Sequence, residues 1–494
     1  MTQLLAPLAA LQRRPLTVAF IASLLLSLIS LAGMVGPNRD GMLYIETANI
    51  FNEEGLEAAK ANFDPVFFPV LIALFSRLSG LEAELAGYVL NAFLLAGACA
   101  CAVALTRRQF PEATGFAILA TLALPALNEY RFDLIRENGY WFLCLLALLT
   151  SLRWRDNPTW RNALLPQLCL AGALCFRAEA VAYFPALFLW VMLSATGGRG
   201  ERLIEATRVT SLALLGGVLL PLLLMLNGFE ISHRFTHYVE AGSPLAENAK
   251  FAIVAATLAN SLPTFSADES GRILFFGMLS IIPAKWIDLT GVLLIPLAFA
   301  LRRSVVAERL VRWQINGAFL LAYLAILIVF LTYQLFLTGR YVSFLAILTL
   351  PLIAVGLHDL VARWPRLKWP VIALCIVLAL SHVISLSKDK KTQFREAGQW
   401  LASQSQMHER IYLDSPRTGY YAGKAYRKLR HQSLTPEQIE EAARAGRFDY
   451  YVFEIRRKDK DREAWIAAMD LREIQRFRNQ TGDAVVVYQR PPQH

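Results

Sequence analysis

Long apolar runs separated by short polar segments fill the first 387 residues, whereas the last 107 alternate between apolar and polar positions over much shorter distances. The first run, residues 17–36, has about 20 apolar residues behind Arg13 and Arg14, enough to cross roughly 30 Å of hydrocarbon. A cleaved signal peptide would share that basic start, but the many runs that follow make the segment read as an anchor. Further spans are predicted at 85–106, 113–127, 139–152, 162–176, 179–195, 208–227, 273–301, 313–337, 341–357 and 369–387, eleven in all with the first. The run PVFFPVLIALFSRLSG at 65–80 has only about 15 apolar residues and fits either a short span or a helix lying in the interface.

Charge chooses between these two. The loop at 37–64 is acidic, with Asp40, Glu46, Glu53, Glu54, Glu57 and Asp64 against Arg39 and Lys60, and so reads as outer. If 65–80 spanned, Arg107 and Arg108 would fall outside and every later basic cluster would invert. With that run placed flat, the basic loops 107–108, 153–161, 197–202, 302–312 and 358–369 all face inward, as the positive-inside rule requires. The composition agrees: the chain is 55% hydrophobic and 18% charged, which excludes a soluble enzyme and a disordered chain. A net charge of +10 could suggest nucleic acid, but the basic residues sit in short clusters between spans, and no nucleic-acid partner is expected. The six cysteines, Cys99, Cys101, Cys144, Cys169, Cys175 and Cys375, all lie in apolar runs, which argues against disulfides and zinc knuckles.

Residues 388–494 carry 36 of the 88 Asp, Glu, Lys and Arg and read as a water-soluble tail on the outer side. There RIYLD at 410–414, DYYVFEIRR at 449–457 and DAVVVYQR at 483–490 read as strands, and TPEQIEEAARAG at 435–446 as a helix. The expected architecture is mainly α: a polytopic bundle of about eleven spans (1–387) with interfacial helices, followed by a small α/β domain (388–494). No internal repeat interrupts this reading.

Spans 113–127, 139–152 and 162–176 are only about 14 residues long, roughly 21 Å, so charges at their outer ends would sit below the membrane surface, where they are costly unless functional or paired. Those ends carry Glu129, Arg131, Asp133, Arg136 and Glu137 on one side and Arg177 and Glu179 on the other. A helix beginning at Phe132 would put Asp133, Arg136, Glu137 and Tyr140 on one face. This is either a mutually neutralised helix entrance or a site that holds an anion and positions an acid or base. Thr338-Gly339-Arg340-Tyr341 forms a predicted outer turn in which Arg340 lacks a local counter-charge, which suits phosphate binding as well as snorkelling to headgroups. Asp40, in Asn38-Arg39-Asp40-Gly41 with Tyr44 four residues on, reads by itself as a turn or helix cap. Lys285 and Asp288 read as an i, i+3 pair, with Lys285 an alternative phosphate contact. His233 and His237, with Glu230 and Glu240, are a weak zinc pattern, and Asp459-Lys460-Asp461 reads as a solvated face.

Taken in order, RDGMLY in the first outer loop, DPVFFPVLIALFSRLSG, FDLIREN before a short span, FRAEAVAYFP and TGRYVSFLAILTLPLIAVGL resemble the GT-C superfamily of polytopic glycosyltransferases, the group of the lipid A aminoarabinose transferase and the protein O-mannosyltransferases. The tail segments AGQWLASQ, ERIYLDSPRTGYYAGKAYRKL and FDYYVFEIRRKD look like the outer domain of bacterial members. The resemblance implies a protein of the bacterial inner membrane, with its N-terminus cytoplasmic and its tail periplasmic. It implies transfer of a sugar from a polyprenyl-phosphate donor to a lipid, glycan or protein acceptor of the envelope. It assigns the catalytic carboxylate to Asp40, and a second acid to Glu137, with Asp133 as the other match; Gly41 stands where related families often place a second acid. Arg136, Arg177 and Arg340, with Tyr341, Tyr44 and Lys285 as further contacts, are the expected donor-phosphate residues. No Asp-x-Asp pair occurs in the membrane loops, so inverting transfer without a metal or other cofactor is expected. A transporter or flippase of envelope intermediates, an O-antigen ligase-like enzyme and a non-catalytic assembly partner are the alternative readings.

Overall fold

The computed structural model describes residues 13–32, 36–217, 219, 249–384, 392–404, 410–426, 429 and 434–491. They form two compact units, one from the described residues of Met1–Ser30 and Tyr88–Ile384, the other from those of Leu31–Gly87 and Ser385–His494.

The first unit is helical. Among the described residues of the chain, Pro15–Ala32, Ala83–Gln109, Ser270–Ala300, Val306–Gln334 and Pro365–Val383 are long and apolar enough to cross a membrane. Gly339–Leu348 and Leu350–Arg363 meet that standard together, bent by 55° at Thr349. Pro351 at the start of the second helix cannot donate a backbone hydrogen bond to the preceding turn, which accounts for the break there. Gly356 lies where any Cβ would collide with the Pro296 carbonyl, so only glycine lets Leu350–Arg363 pack this closely on Leu294–Ala300. Of the predicted short spans, 113–127 appears as Thr114–Ala123 with Pro125–Asn128 and 162–176 as the 17-residue Trp160–Phe176, whereas 139–152 is longer than expected, the 20-residue helix Glu137–Asp156, whose polar ends add a turn beyond the apolar run.

Four of the five basic loops, 107–108, 153–161, 302–312 and 358–369, converge on one end of this unit, and Arg208, in the helix Arg199–Val209 that holds most of the fifth, reaches the same end. Arg108 pairs with Asp156, Arg312 reaches Glu112 at 3.1 Å, Arg302 reaches Asp359 at 2.9 Å with Arg309 on the same carboxylate, and Arg208 donates to the Pro158 carbonyl at 3.0 Å. The ion pairs join segments that sequence charge had placed on the same side.

In the second unit, Arg39–Glu54, Leu56–Asn62 and Phe67–Ser79 follow one another, the last of these only 13 residues long. The tail holds a four-stranded sheet, β1 (Ile411–Leu413), β2 (Tyr450–Ile455), β3 (Arg472–Arg478) and β4 (Ala484–Gln489), in the order β1-β2-β4-β3. β1 and β2 run parallel, and the other pairings are antiparallel. Alternation along β2 sends Tyr451, Phe453 and Ile455 to one face, packed with Ile439 and Ile466 of the helices Pro436–Arg444 and Lys460–Ala467. Val452 joins Phe394 and Leu401 of Thr392–Ser403 on the other. Thr435 caps Pro436–Arg444 by accepting from the Gln438 amide, and Asp459 accepts from the Arg462 amide. The Asp459-Lys460-Asp461 run is therefore the start of a helix. Met42 and Leu43 pack on Tyr426, with Phe63, Tyr420 and Tyr421 around them, which docks the 31–87 segment onto the tail.

Candidate active site

The ionisable cluster of the first unit is built on two helix ends. The helix expected from Phe132 begins instead at Glu137, preceded by a turn at 129–133. Arg131 explains the late start. Its buried guanidinium points inward, donating to Asn128 Oδ1 at 3.0 Å, to Ser23 O and Oγ at 2.8 and 3.0 Å, and to Ser27 Oγ at 2.9 Å, so the chain folds into the bundle before it becomes helical. Asp133 consequently leaves the predicted shared face; its carbonyl accepts from Asn91 Nδ2 at 2.9 Å.

Glu137 occupies the first turn of its helix, where a carboxylate suits the positive end of the helix dipole. Gly139 allows the Phe176 ring to press against this turn, since a Cβ there would overlap it, and this brings Arg177, the next residue after Phe176, to Glu137. Arg177 donates to Glu137 Oε1 and to Glu179 Oε1, both at 2.5 Å, and all three side chains are at least 94% buried. Arg340 comes from the start of Gly339–Leu348, with its Nε 3.7 Å from Glu137 Oε1 and its side chain 23% exposed. Tyr341 serves both cations: the Arg177 guanidinium lies 4.5 Å from its ring centroid, and that of Arg340 lies 5.2 Å away. Tyr323 fixes the position by donating to the Tyr341 carbonyl at 2.7 Å. Arg136 is near enough for its charge to act on Glu179.

Arg136, Arg177 and Arg340 thus gather around the carboxylates of Glu137 and Glu179 at the end of an apolar bundle. Below them the ring of Tyr183 stacks on Phe319 at 4.4 Å, and the Tyr183 hydroxyl lies 2.8 Å from that of Tyr140. Glu137 Oε2, Asn138 Nδ2 and Trp141 Nε1 on the first turns of one helix, and Arg177 Nε facing them, are all buried without a hydrogen-bond partner among the described residues, an unusual concentration of unmet polar capacity. Such groups suit a polar ligand.

The structure thus brings together Arg136, Glu137, Arg177, Arg340 and Tyr341 from the residues singled out in sequence. Glu179, noted there only as a flanking charge, is a full member. Asn138, Trp141 and Tyr323 escaped notice because nothing distinguishes them locally from lipid-facing or core positions. Lys285 is half-buried on Ile281–Thr290, and no ion pair joins it to Asp288 among the described residues. His233, His237, Glu230 and Glu240 lie outside the described residues.

Asp40 and Tyr44 belong to the second unit. Asn38 caps Arg39–Glu54 through the Gly41 amide at 3.2 Å, placing Asp40 in the first turn and leaving it half-exposed. Tyr44 is 4% exposed and meets Phe63 and Phe68 edge-on, with ring centroids 5.4 and 5.3 Å away, so its ring anchors the helix that carries Asp40. Beside this helix runs a groove of about 750 Å³, lined by Glu46, Asn49, Glu53, Tyr420 and Lys424 among others.

No protein-family model and no curated protein matches the chain. Solved structures do. The Archaeoglobus fulgidus oligosaccharyltransferase tethered to an acceptor peptide is 12% identical, with a TM-score of 0.55 over 98% of this chain and 75% of that one. The archaeal oligosaccharyltransferase AglB from the same organism, in complex with an inhibitory peptide and a dolichol-phosphate, is 10% identical, with a TM-score of 0.52 over 97% and 75%. ArnT from Cupriavidus metallidurans in the apo state covers 95% of this chain and 97% of its own at 13% identity, with a TM-score of 0.43. From its helical unit to its α/β unit, the chain shares its fold with these archaeal oligosaccharyltransferase structures.

Proposed function

We propose that this protein is an integral-membrane glycosyltransferase that moves a sugar from a polyprenyl-phosphate donor to an envelope acceptor at the outer face of the bacterial inner membrane. The observation that carries this reading is the Arg136–Glu137–Arg177–Glu179–Arg340 cluster, which gathers three guanidinium groups beside buried polar atoms that have no hydrogen-bond partner among the described residues, at the bundle end opposite the basic loops. The fold supports it, as does the dolichol-phosphate bound by the archaeal enzyme. The partners are the lipid-linked donor, a lipid, glycan or protein acceptor, and the surrounding membrane lipid.

The chemistry divides between the named residues. As the bond from the anomeric carbon to the phosphate oxygen breaks, negative charge collects on the departing polyprenyl phosphate. Arg340, with Arg136, neutralises it, because Arg340 is the partly exposed guanidinium of the cluster. Arg177 is committed to two carboxylates and acts mainly by fixing Glu137, which in turn orients Arg340. Asp40 accepts the proton of the acceptor hydroxyl as its oxygen attacks, and direct displacement inverts the anomeric centre. Asp133 and Lys285 are not assigned to these steps.

Arg340→Ala in purified enzyme should raise the donor concentration needed for half-maximal transfer by at least tenfold, while the acceptor requirement changes little. An unchanged donor dependence would remove Arg340 from the phosphate site.

A further inference from the structure

A second polar cavity, of about 850 Å³, opens at the other end of the first unit. It lies between the first turn of Pro15–Ala32, the last turns of Ala83–Gln109 and Glu137–Asp156, and the second turn of Val306–Gln334, four helices whose ends meet there. Glu137–Asp156 connects the two ends directly: its first residue belongs to the ionisable cluster and its last lines this cavity, a separation of roughly 30 Å along 20 residues at 1.5 Å each. That is about the thickness of a bilayer core, so the cavity belongs to the opposite membrane surface.

Its lining is two-sided in character. Arg107, Arg108, Arg155 and Arg312 contribute four guanidinium groups against the single carboxylate of Asp156, which Arg108 engages. Arg312 is shared with Glu112, with Glu308 at 3.6 Å and with the Gln109 carbonyl, and Arg155 donates to the Ser194 carbonyl. Arg107 is exposed and makes no ion pair among the described residues. Leu16, Leu149, Leu152, Val311 and Ile315 supply apolar wall between these polar groups.

We propose that this cavity binds the phosphate headgroup of an anionic phospholipid, with the guanidinium groups of Arg107, Arg155 and Arg312 on the phosphate and the glycerol and upper acyl carbons against the leucines. Guanidinium pairs well with phosphate, and surplus cations held beside apolar wall at a membrane surface suit a lipid better than a fully soluble anion. The site is separate from the proposed transfer chemistry and would stand if that reading failed.

Native mass spectrometry of the full-length protein, titrated with phosphatidylglycerol, tests the proposal. Saturable binding is expected, weakened about fivefold by Arg107→Gln and again by Arg155→Gln, since each basic group near a lipid surface contributes about 1 kcal/mol. Arg161→Gln, a basic residue at the same end but outside the cavity, should leave binding unchanged. Three results would overturn it: equal affinity for phosphatidylcholine, equal weakening by Arg161→Gln, or displacement of the lipid by inorganic phosphate at matching concentration, which would make the cavity a free-anion site.

Discussion

Arg177 shows how much can depend on one buried side chain. Its guanidinium bridges Glu137 and Glu179 where water scarcely reaches, so removing it takes from both buried carboxylates their 2.5 Å partner and leaves them only the more distant charges of Arg340 and Arg136. Breaking a buried ion pair from one side costs about 3–5 kcal/mol. Arg177→Gln should therefore lower the unfolding midpoint of the detergent-solubilised protein by several degrees, while Glu137→Gln, which keeps the charges balanced between Arg177 and Glu179, lowers it less. Equal midpoints for both variants and the parent would mean that the cluster is solvated rather than buried. At this scale sequence was informative about charge and silent about neutral partners. Glu137, Arg177 and Arg340 stood out because charge is rare beside apolar runs, whereas Asn138 and Trp141 carry no such contrast. Arg131 stood out for the same reason yet proves to be an internal strut, since only the fold discloses Ser23 and Ser27 beneath it.

Among elements, the clearest difference between expectation and structure is β3. Its sequence, REIQRFR, has charges at Arg472, Glu473, Arg476 and Arg478 and gives no clean alternation, because it is an edge strand and charge protects an edge from pairing with other chains. β1, β2 and β4 were legible as apolar runs bounded by polar residues. The edge is held in part by charge: Arg476 donates to Glu473 at 2.7 and 2.9 Å and to Glu463 at 2.9 Å. The hydrogen bond from Arg476 keeps the Glu473 carboxyl below its ordinary value of 4.5. A carboxyl depressed in the folded state stabilises above its unfolded value and loses that contribution as pH falls through the folded one. Hydrogen exchange of the 472–478 amides, normalised to intrinsic rates, should therefore rise below pH 4.5 in the parent, while Glu473→Gln should be fast and nearly flat across that range. Identical pH profiles would show that the strand is held by its backbone pairing with β4 alone.

For the whole molecule, the rule that legibly organised the chain was charge sidedness. Four of the five basic loops chosen by the positive-inside rule meet at one end of the first unit, through pairs such as Arg312 with Glu112 and Arg302 with Asp359 that no local pattern foretells. Less legible was the partition of the chain, since residues 31–87 join the tail rather than the helices that flank them, through apolar packing of Met42 and Leu43 that hydropathy alone cannot assign. The proposed chemistry places the burden of charge stabilisation on arginines, and the membrane loops contain no Asp-x-Asp pair. Transfer by the purified protein should accordingly survive EDTA; a loss restored by Mn²⁺ would point to a diphosphate donor and a different mechanism.

The central claim, that this chain transfers a sugar with Asp40 as the base, is tested most directly in the cell envelope. Lipids, glycans and surface proteins from a deletion strain, the same strain complemented with Asp40→Asn, and the parent would be compared by mass spectrometry. The account predicts a species heavier by one sugar residue in the parent, missing from both other strains although the Asp40→Asn protein reaches the membrane in normal amount. The same species restored by Asp40→Asn, or no difference in any fraction, would contradict it.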